Sequence, residues 1–336
     1  MNTKTIIFTE PCKAELVEQS VPCVGRGQVR VRLYVSSISS GTERANVSGN
    51  DTVSYASGPA VIFPRQSGYS SSGVIEEVGE GVTDLKVGDR VALAWSIHSK
   101  YNVISADKVF KIGDNVSFEE AALLHIATFP LAAIRKCELE IGESAVVMGL
   151  GILGLIAIPL LKLAGAAPII AVDPVKEKRE IALKYGADYA LDPFAEDFAA
   201  RAKEITKGGA NVAIEVTGFG SGLDGALDCM ARFGRVALLG CTRSSDFKID
   251  YYRKVHGPGI TLVGAHTLAR PEKESSKGYW TLADDMNALI KLSELDRLDL
   301  GKMIEQTCSP SDTPEVYQRL MNEKSFPITQ FDWRDM

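Results

Sequence analysis

Gly149-Leu150-Gly151-Ile152-Leu153-Gly154, with Asp173 19 residues after the last glycine, has the residue types and spacing of a turn that cradles a dinucleotide phosphate. Gly149 serves the tight turn out of a strand, Gly151 lets the backbone approach a pyrophosphate, and Gly154 lets the following helix pack closely on the sheet. Ile152 and Leu153 open that helix, whose first N–H groups and positive dipole end face the phosphates. A carboxylate at Asp173 accepts both ribose hydroxyls and repels a 2′-phosphate, which points to NAD rather than NADP. Lys178, about one helical turn further on, either lies along the adenosine ribose or is solvated. The chemistry served by such a cofactor is hydride transfer.

The elements that position this loop are legible as a change of period. Apolar runs at 144–148, 168–172, 188–191, 212–216, 236–239 and 260–263 alternate with helical segments such as 175–185, 194–206 and 222–231. That alternation requires a parallel sheet with helices on both faces. Thr217-Gly218 and Gly240-Cys241 follow two of these strands at their C-terminal ends, where open α/β sheets bind ligands. They are expected to border the adenine-ribose and the nicotinamide respectively.

Ahead of this, residues 29–35 alternate, 73–79 form a strand ended by Gly-Glu-Gly, and 86–93 form a turn and a strand, as in a compact antiparallel barrel. Residues 118–136 are helical in character. The tail carries helices near 282–294 and 313–322 and a final strand near 328–332. The economical organisation is a split one: residues 1–126, an inserted nucleotide-binding domain at 127–266, and a return of 267–336 to the first domain.

At 336 residues, with 45% hydrophobic and 24% charged residues, the chain can build two cores. A net charge of −6 and a pI near 5.4 argue against nucleic acid or an anionic membrane as partner. The apolar run 152–167 is interrupted by Pro159 and Lys162 and is too short to span a bilayer, and no signal peptide is visible, so a cytoplasmic protein is expected. The six cysteines are scattered without C-x-x-C spacing and read as reduced packing residues.

Several segments in order resemble the medium-chain dehydrogenase/reductase family of alcohol, sorbitol and threonine dehydrogenases. They are Gly68-x-x-x-x-Gly73 running to Val78-Gly79, Val87-Gly88-Asp89-Arg90-Val91, Glu119-Glu120-Ala121-Ala122-Leu123, the Gly149 loop, Gly186-Ala187-Asp188, Glu215-Val216-Thr217-Gly218 and the stretch from Gly234 to Gly240. The resemblance implies an α/β protein: a GroES-like β-barrel catalytic domain with an inserted Rossmann domain, a doubly wound parallel sheet. It also implies a homodimer, because the segment 260–263 lies where the family often pairs subunits.

The departure lies in the metal site. Where zinc members look like C-G-T-D, then G-H-E, then a third ligand after the A-A-L segment, this chain has Ser40-Gly41-Thr42-Glu43, Gly68-Tyr69-Ser70 and His125. Two of the three positions carry hydroxyls that neutral pH keeps protonated, so no catalytic zinc is expected. A four-cysteine structural zinc lobe is not expected either, since residues 92–111 hold no cysteine. His98 and His125 are alternative metal ligands, but two alone rarely suffice. The segment 40–44 with Gly68-Tyr69 resembles a metal-poor branch that includes bacteriochlorophyllide a dehydrogenase and sugar-associated oxidoreductases.

Without zinc, side chains must take the hydroxyl proton of an alcohol or polarise a carbonyl. The resemblance places Thr42, Tyr69, His98 and His125 in that catalytic role, with Ser40, Glu43, Trp95 and His266 around the substrate and Thr128 near the nicotinamide. Each has a plainer reading as a packing or hydrogen-bonded structural residue. The expected function is zinc-independent, NAD-dependent interconversion of a secondary alcohol and a ketone on a small hydroxylated molecule, such as a sugar or polyol. An NAD(P)H-dependent quinone or enone reductase and a non-catalytic nucleotide-binding protein are the alternatives.

Overall fold

A computed structural model describes residues 1–50, 62–242 and 247–336. The chain divides into two compact units, one of Met1–Ile126 with Met286–Met336 and one of Ala127–Asp285.

In the first unit the strand Gln28–Ser37 buries Val29, Val31, Leu33 and Val35 on alternate positions, the period expected of a strand with one face on a core. It pairs antiparallel with Ser70–Val78, which pairs with Arg90–Ala94, and that strand with Val109–Lys111. The C-terminal strand Thr329–Asp332 joins the other edge of Gln28–Ser37 antiparallel, so the tail completes the N-terminal sheet. A hairpin of Asn2–Glu10 and Lys13–Ser20 packs beside it. Phe8, Leu33, Ile75, Leu93, Tyr317, Phe331 and Trp333 fill the core.

The second unit is a six-stranded parallel sheet in the order Tyr189–Leu191, Ile169–Val172, Ala145–Met148, Ala210–Glu215, Met230–Leu238, Thr261–Gly264. Ala145–Met148 and Ile169–Val172 are buried at every position, as strands covered on both faces must be. The order reverses direction at Ala145–Met148, so the loop beginning at Gly149 leaves the sheet at the topological switch point.

Two expectations are corrected. Residues 267–285, assigned above to the C-terminal return, belong to the parallel-sheet unit. The division falls within the helix Leu282–Glu294, and side chains tie the segment before it to this unit: Asp285 accepts from Arg135 Nε at 2.9 Å and lies 3.5 Å from Arg270, Lys136 donates to the Gly264 and Ala269 carbonyls, and Arg135 stacks 3.6 Å above Trp280. The helix expected over 222–231 runs Gly220–Asp228 and gives way to the strand Met230–Leu238, whose first residue pairs with Ala210.

Candidate functional site

In the second unit, Met148 is in register with Val172 on one side and Glu215 on the other, and Glu215 with Leu238. The loops that begin at Gly149, Asp173, Thr217 and Gly240 therefore start at one level, along one edge of the sheet. Gly149 adopts φ +98°, a left-handed conformation natural to glycine, and a Cβ there would meet Thr217 Cγ2 at 2.9 Å. A Cβ on Gly154 would fall 1.9 Å from the Gly149 carbonyl oxygen, whereas one on Gly151 would meet, among the described residues and apart from its chain neighbours, nothing within 4 Å. Gly154 thus answers to packing. Gly151 borders open space at the N-terminus of the helix Ile152–Leu163, where a pyrophosphate fits.

Asp173 is buried, and its carboxylate accepts from the Leu150 amide at 2.8 Å and the Val175 amide at 2.9 Å. The acid is tied to the glycine loop itself. Arg179, not singled out from the sequence, donates to the Asp173 carbonyl at 2.6 Å and reaches Asp192 at 3.3 Å. Lys178 is half-buried beside it.

Glu215 is the other residue that sequence reasoning passed over, although it stood within a quoted motif. Its carboxylate accepts from the Thr217 amide at 2.8 Å, from the Thr217 hydroxyl, and from the Gly218 amide at 3.3 Å. Burial pushes this carboxyl above the usual range, and the Thr217 and Gly218 donors oppose the shift. A Cβ on Gly240 would lie 2.5 Å from the Gly218 nitrogen, so the turns after the two strands touch. Cys241 is exposed, Thr128 fully buried and His266 half-buried, its Nδ1 accepting from the Leu268 amide at 3.2 Å.

In the first unit, Tyr69, Trp95 and His125 form one aromatic cluster. Ring centroids are 4.7 Å apart for Trp95–His125, 5.5 Å for Tyr69–His125 and 5.9 Å for Tyr69–Trp95. Tyr69 and His125 are buried, while Trp95 is 38% exposed and adopts φ +62°, a strained conformation for a bulky residue. His125 Nδ1 lies 2.6 Å from the Tyr69 carbonyl oxygen. A carbonyl can only accept, so Nδ1 carries the hydrogen and, in the neutral ring, Nε2 is the basic nitrogen. The Trp95 amide donates to the same carbonyl at 2.8 Å.

The buried run Ser70-Ser71-Ser72 fixes this cluster, and no apolar-period argument points to it. Ser70 donates to the Ala122 carbonyl at 2.7 Å and Ser72 to the Phe118 carbonyl at 2.5 Å, pinning the helical turns that carry His125.

In the same unit His98, packed against Gly68, and Glu43 are buried at 0% and 2% exposure. His98 Nε2 lies 3.2 Å from both Glu43 carboxylate oxygens and its Nδ1 is 2.7 Å from Ser36 Oγ. The Tyr317 hydroxyl donates to Glu43, the Ser39 amide donates to it at 3.0 Å, and Trp333 Nε1 donates to Ser36 Oγ at 2.8 Å. Burial and the adjacent carboxylate hold the Tyr317 phenol well above its ordinary value, so it stays a donor. The sequence gathers His98, His125 and His266 around one cavity. The structure instead gives His98 and His125 separate partners, because the Glu43 carboxylate holds His98 in the core. Ser40 and Thr42 sit half-buried in the first turn of the helix Ser40–Val47, which Glu43 ties to its own N-terminus through Ser39.

The positions that hold zinc in zinc members offer a serine hydroxyl, a phenol and an imidazole, while the neighbouring Glu43 and His98 are bonded to each other. Of these only the imidazole is a usual Zn²⁺ ligand, so the residues at these positions are a poor match to the metal. No helix among the described residues is long and apolar enough to cross a membrane. Cys137 and Cys229 are buried thiols, each pushed up to about 12 by desolvation.

A family model described as alcohol dehydrogenase GroES-like domain matches residues 25–109, and one described as zinc-binding dehydrogenase matches residues 153–283. D-guloside 3-dehydrogenase of Escherichia coli (strain K12) is 26% identical over 339 residues, covering 95% of this chain and 96% of that protein. L-threonine 3-dehydrogenase of Pyrococcus abyssi is 32% identical over 289 residues, covering 77% of this chain and 81% of that protein. The fold is shared with galactitol-1-phosphate dehydrogenase from Escherichia coli, at a TM-score of 0.85 and 18% identity over 98% of this chain and 99% of that one. A GroES-like barrel, a Rossmann sheet with its glycine loop at the switch point, and relatives of this kind make the chain a member of the medium-chain dehydrogenase/reductase, zinc-type alcohol dehydrogenase-like family.

Proposed function

We propose that this protein is a zinc-independent, NAD-dependent dehydrogenase that interconverts a secondary alcohol and a ketone on a sugar, polyol or similar small hydroxylated molecule. The observation that carries the reading is the tautomer of His125, set by its 2.6 Å contact with the Tyr69 carbonyl, which leaves Nε2 as the basic nitrogen of an aromatic cluster. The relatives named for guloside and threonine act at alcohol carbons, and the half-exposed Trp95 suits stacking on a sugar ring.

The glycine loop, Gly151 above all, and the helix N-terminus at Ile152 and Leu153 would hold the pyrophosphate. Asp173 and Lys178 would hold the adenosine ribose, and Thr217, Gly240, Cys241 and Thr128 the rest of the cofactor. Bound there, a nicotinamide supplies a two-electron hydride acceptor. His125 Nε2 takes the proton of the reacting hydroxyl, and the Tyr69 phenol hydrogen-bonds the oxygen on which charge develops. Ser40 and Thr42, on the first turn of their helix, meet further hydroxyls. His98 and Glu43 act at one remove: buried against each other, they fix that turn rather than touch substrate. The edge strand Thr261–Gly264, largely exposed, supports a homodimer.

The test is a pH–rate profile of NAD reduction with a panel of polyols and glycosides, for the parent, Tyr69→Phe and His125→Ala. The expected result is loss of the acidic limb, the fall in rate as the base is protonated, in His125→Ala and a lower kcat in Tyr69→Phe. Full activity in both variants refutes the assignment.

A further inference from the structure

Beside the aromatic cluster, and within the same unit, lies a cavity of about 260 Å³ that shares only Trp95 with the residues given roles above. Its wall includes Trp95 and Ile97, its rim Gln19, Ser20 and Gln66, and its floor Thr3, Thr5, Ser99 and Asn102. Among the described residues no charged side chain lines it. The floor is buried and internally bonded: Ser99 Oγ lies 3.2 Å from Thr3 Oγ1 and 2.8 Å from Thr5 Oγ1, and Asn102 holds the Ile97 amide at 2.9 Å. A floor fixed by its own hydrogen bonds is pre-organised, which spares a ligand the cost of ordering it. Gln19, Ser20 and Gln66 are exposed and supply amide and hydroxyl groups at the mouth. Among the described residues Trp95 is common to this cavity and to the cluster with Tyr69 and His125, its ring centroid 4.7 Å from that of His125.

We infer that this cavity is a second sugar subsite, which takes a neutral glycosyl ring against Trp95, next to the cluster that holds His125, so that the preferred substrate is a glycoside or disaccharide. The lining gives the class. Neutral donors and acceptors without a counter-charge suit hydroxyls and not phosphates or carboxylates, an indole wall suits the apolar face of a pyranose, and the volume, equal to about nine waters of liquid, suits one ring. The inference rests on the reading that the aromatic cluster takes the reacting alcohol, and the experiment separates the two.

Tryptophan fluorescence of the full chain is titrated with cellobiose, maltose and lactose, without cofactor. Trp95 is the probe, since Trp333 is fully buried and Trp280 lies under Arg135; Trp95→Phe identifies its share of the signal. Saturable quenching by at least one disaccharide, lost in Trp95→Phe and shifted about tenfold to weaker binding in the Gln19→Ala/Gln66→Ala double variant, is expected for two hydrogen bonds removed. In turnover with NAD the same double variant raises KM for the disaccharide about tenfold relative to KM for a methyl glycoside, with the ratio of kcat values unmoved. No saturable quenching by any of the three, or identical titrations for parent and double variant, overturns the subsite. Oxidation of methyl glycosides without disaccharide binding refutes the subsite alone. Disaccharide binding without oxidation of any sugar supports the subsite and refutes the reaction proposed above.

Discussion

Gly151 and Gly154 sit in one motif three residues apart, yet the structure assigns them different physical duties, and alanine separates those duties. At Gly154 a methyl group would stand 1.9 Å from the Gly149 carbonyl oxygen and 3.0 Å from its carbon, both backbone atoms. Reaching ordinary contact needs a shift of more than about 1 Å in the turn, and overpacking of this kind costs about 1–3 kcal/mol. In a unit of 150–250 residues each kcal/mol moves Tm by about 2–4 °C, so Gly154→Ala is expected to melt about 2–12 °C below the parent without cofactor. At Gly151 the same methyl meets, among the described residues beyond its chain neighbours, nothing within 4 Å, and the residue has φ −74°, open to any side chain. Gly151→Ala should therefore keep the parent Tm without cofactor, while its methyl occupies the space read as the pyrophosphate seat and weakens NADH at least about tenfold, or 1.4 kcal/mol. Differential scanning fluorimetry without cofactor and NADH fluorescence titration measure the two effects independently. Parent-like NADH affinity in Gly151→Ala, or equal loss of Tm in both variants, refutes the assignment of these duties.

Replacing Asp173 with serine removes the acceptor of the Leu150 and Val175 amides and the charge that repels a 2′-phosphate, so the ratio of kcat/KM for NADP over NAD should rise at least about tenfold in initial-rate assays. Glu43→Ala strands His98 Nε2, the Tyr317 hydroxyl and the Ser39 amide in the core and should cost about 3–5 kcal/mol in urea unfolding, against about 1–2 for Tyr317→Phe. Asp285 is pushed up to about 6 by burial, although Arg135 and Arg270 pull it down. A folded-state pKa above the unfolded value of 3.8 means that the contribution is present at low pH and lost as pH rises through about 6. Denaturant midpoints of Asp285→Asn and the parent, compared from about pH 4 to 7, should move in the variant's favour by up to about 3 kcal/mol, and a flat difference contradicts the shift.

The pieces of this protein that repeat a local physical pattern were legible in the chain. Alternation in Gln28–Ser37 and unbroken apolar runs in Ala145–Met148 and Ile169–Val172 declare a one-faced and a two-faced sheet. The G-x-G-x-x-G turn declares its place because strand, turn and helix are contiguous in sequence. What tertiary structure decided is which polar residues meet. His98 and His125 look alike as isolated histidines, but Glu43 and Tyr317, 274 positions apart in the chain, claim the first for the core, while a 2.6 Å contact with the Tyr69 carbonyl sets the tautomer of the second. The end of the inserted unit leaves no mark in the periodicity: contacts divide the chain within the helix Leu282–Glu294, beside the pairing of Asp285 with Arg135 and Arg270. The glycine loop is written in one short segment because its function depends on backbone geometry. The groups that would handle the proton are gathered from strands and helices far apart in sequence, because a side chain's pairing and tautomer depend on its neighbours in space.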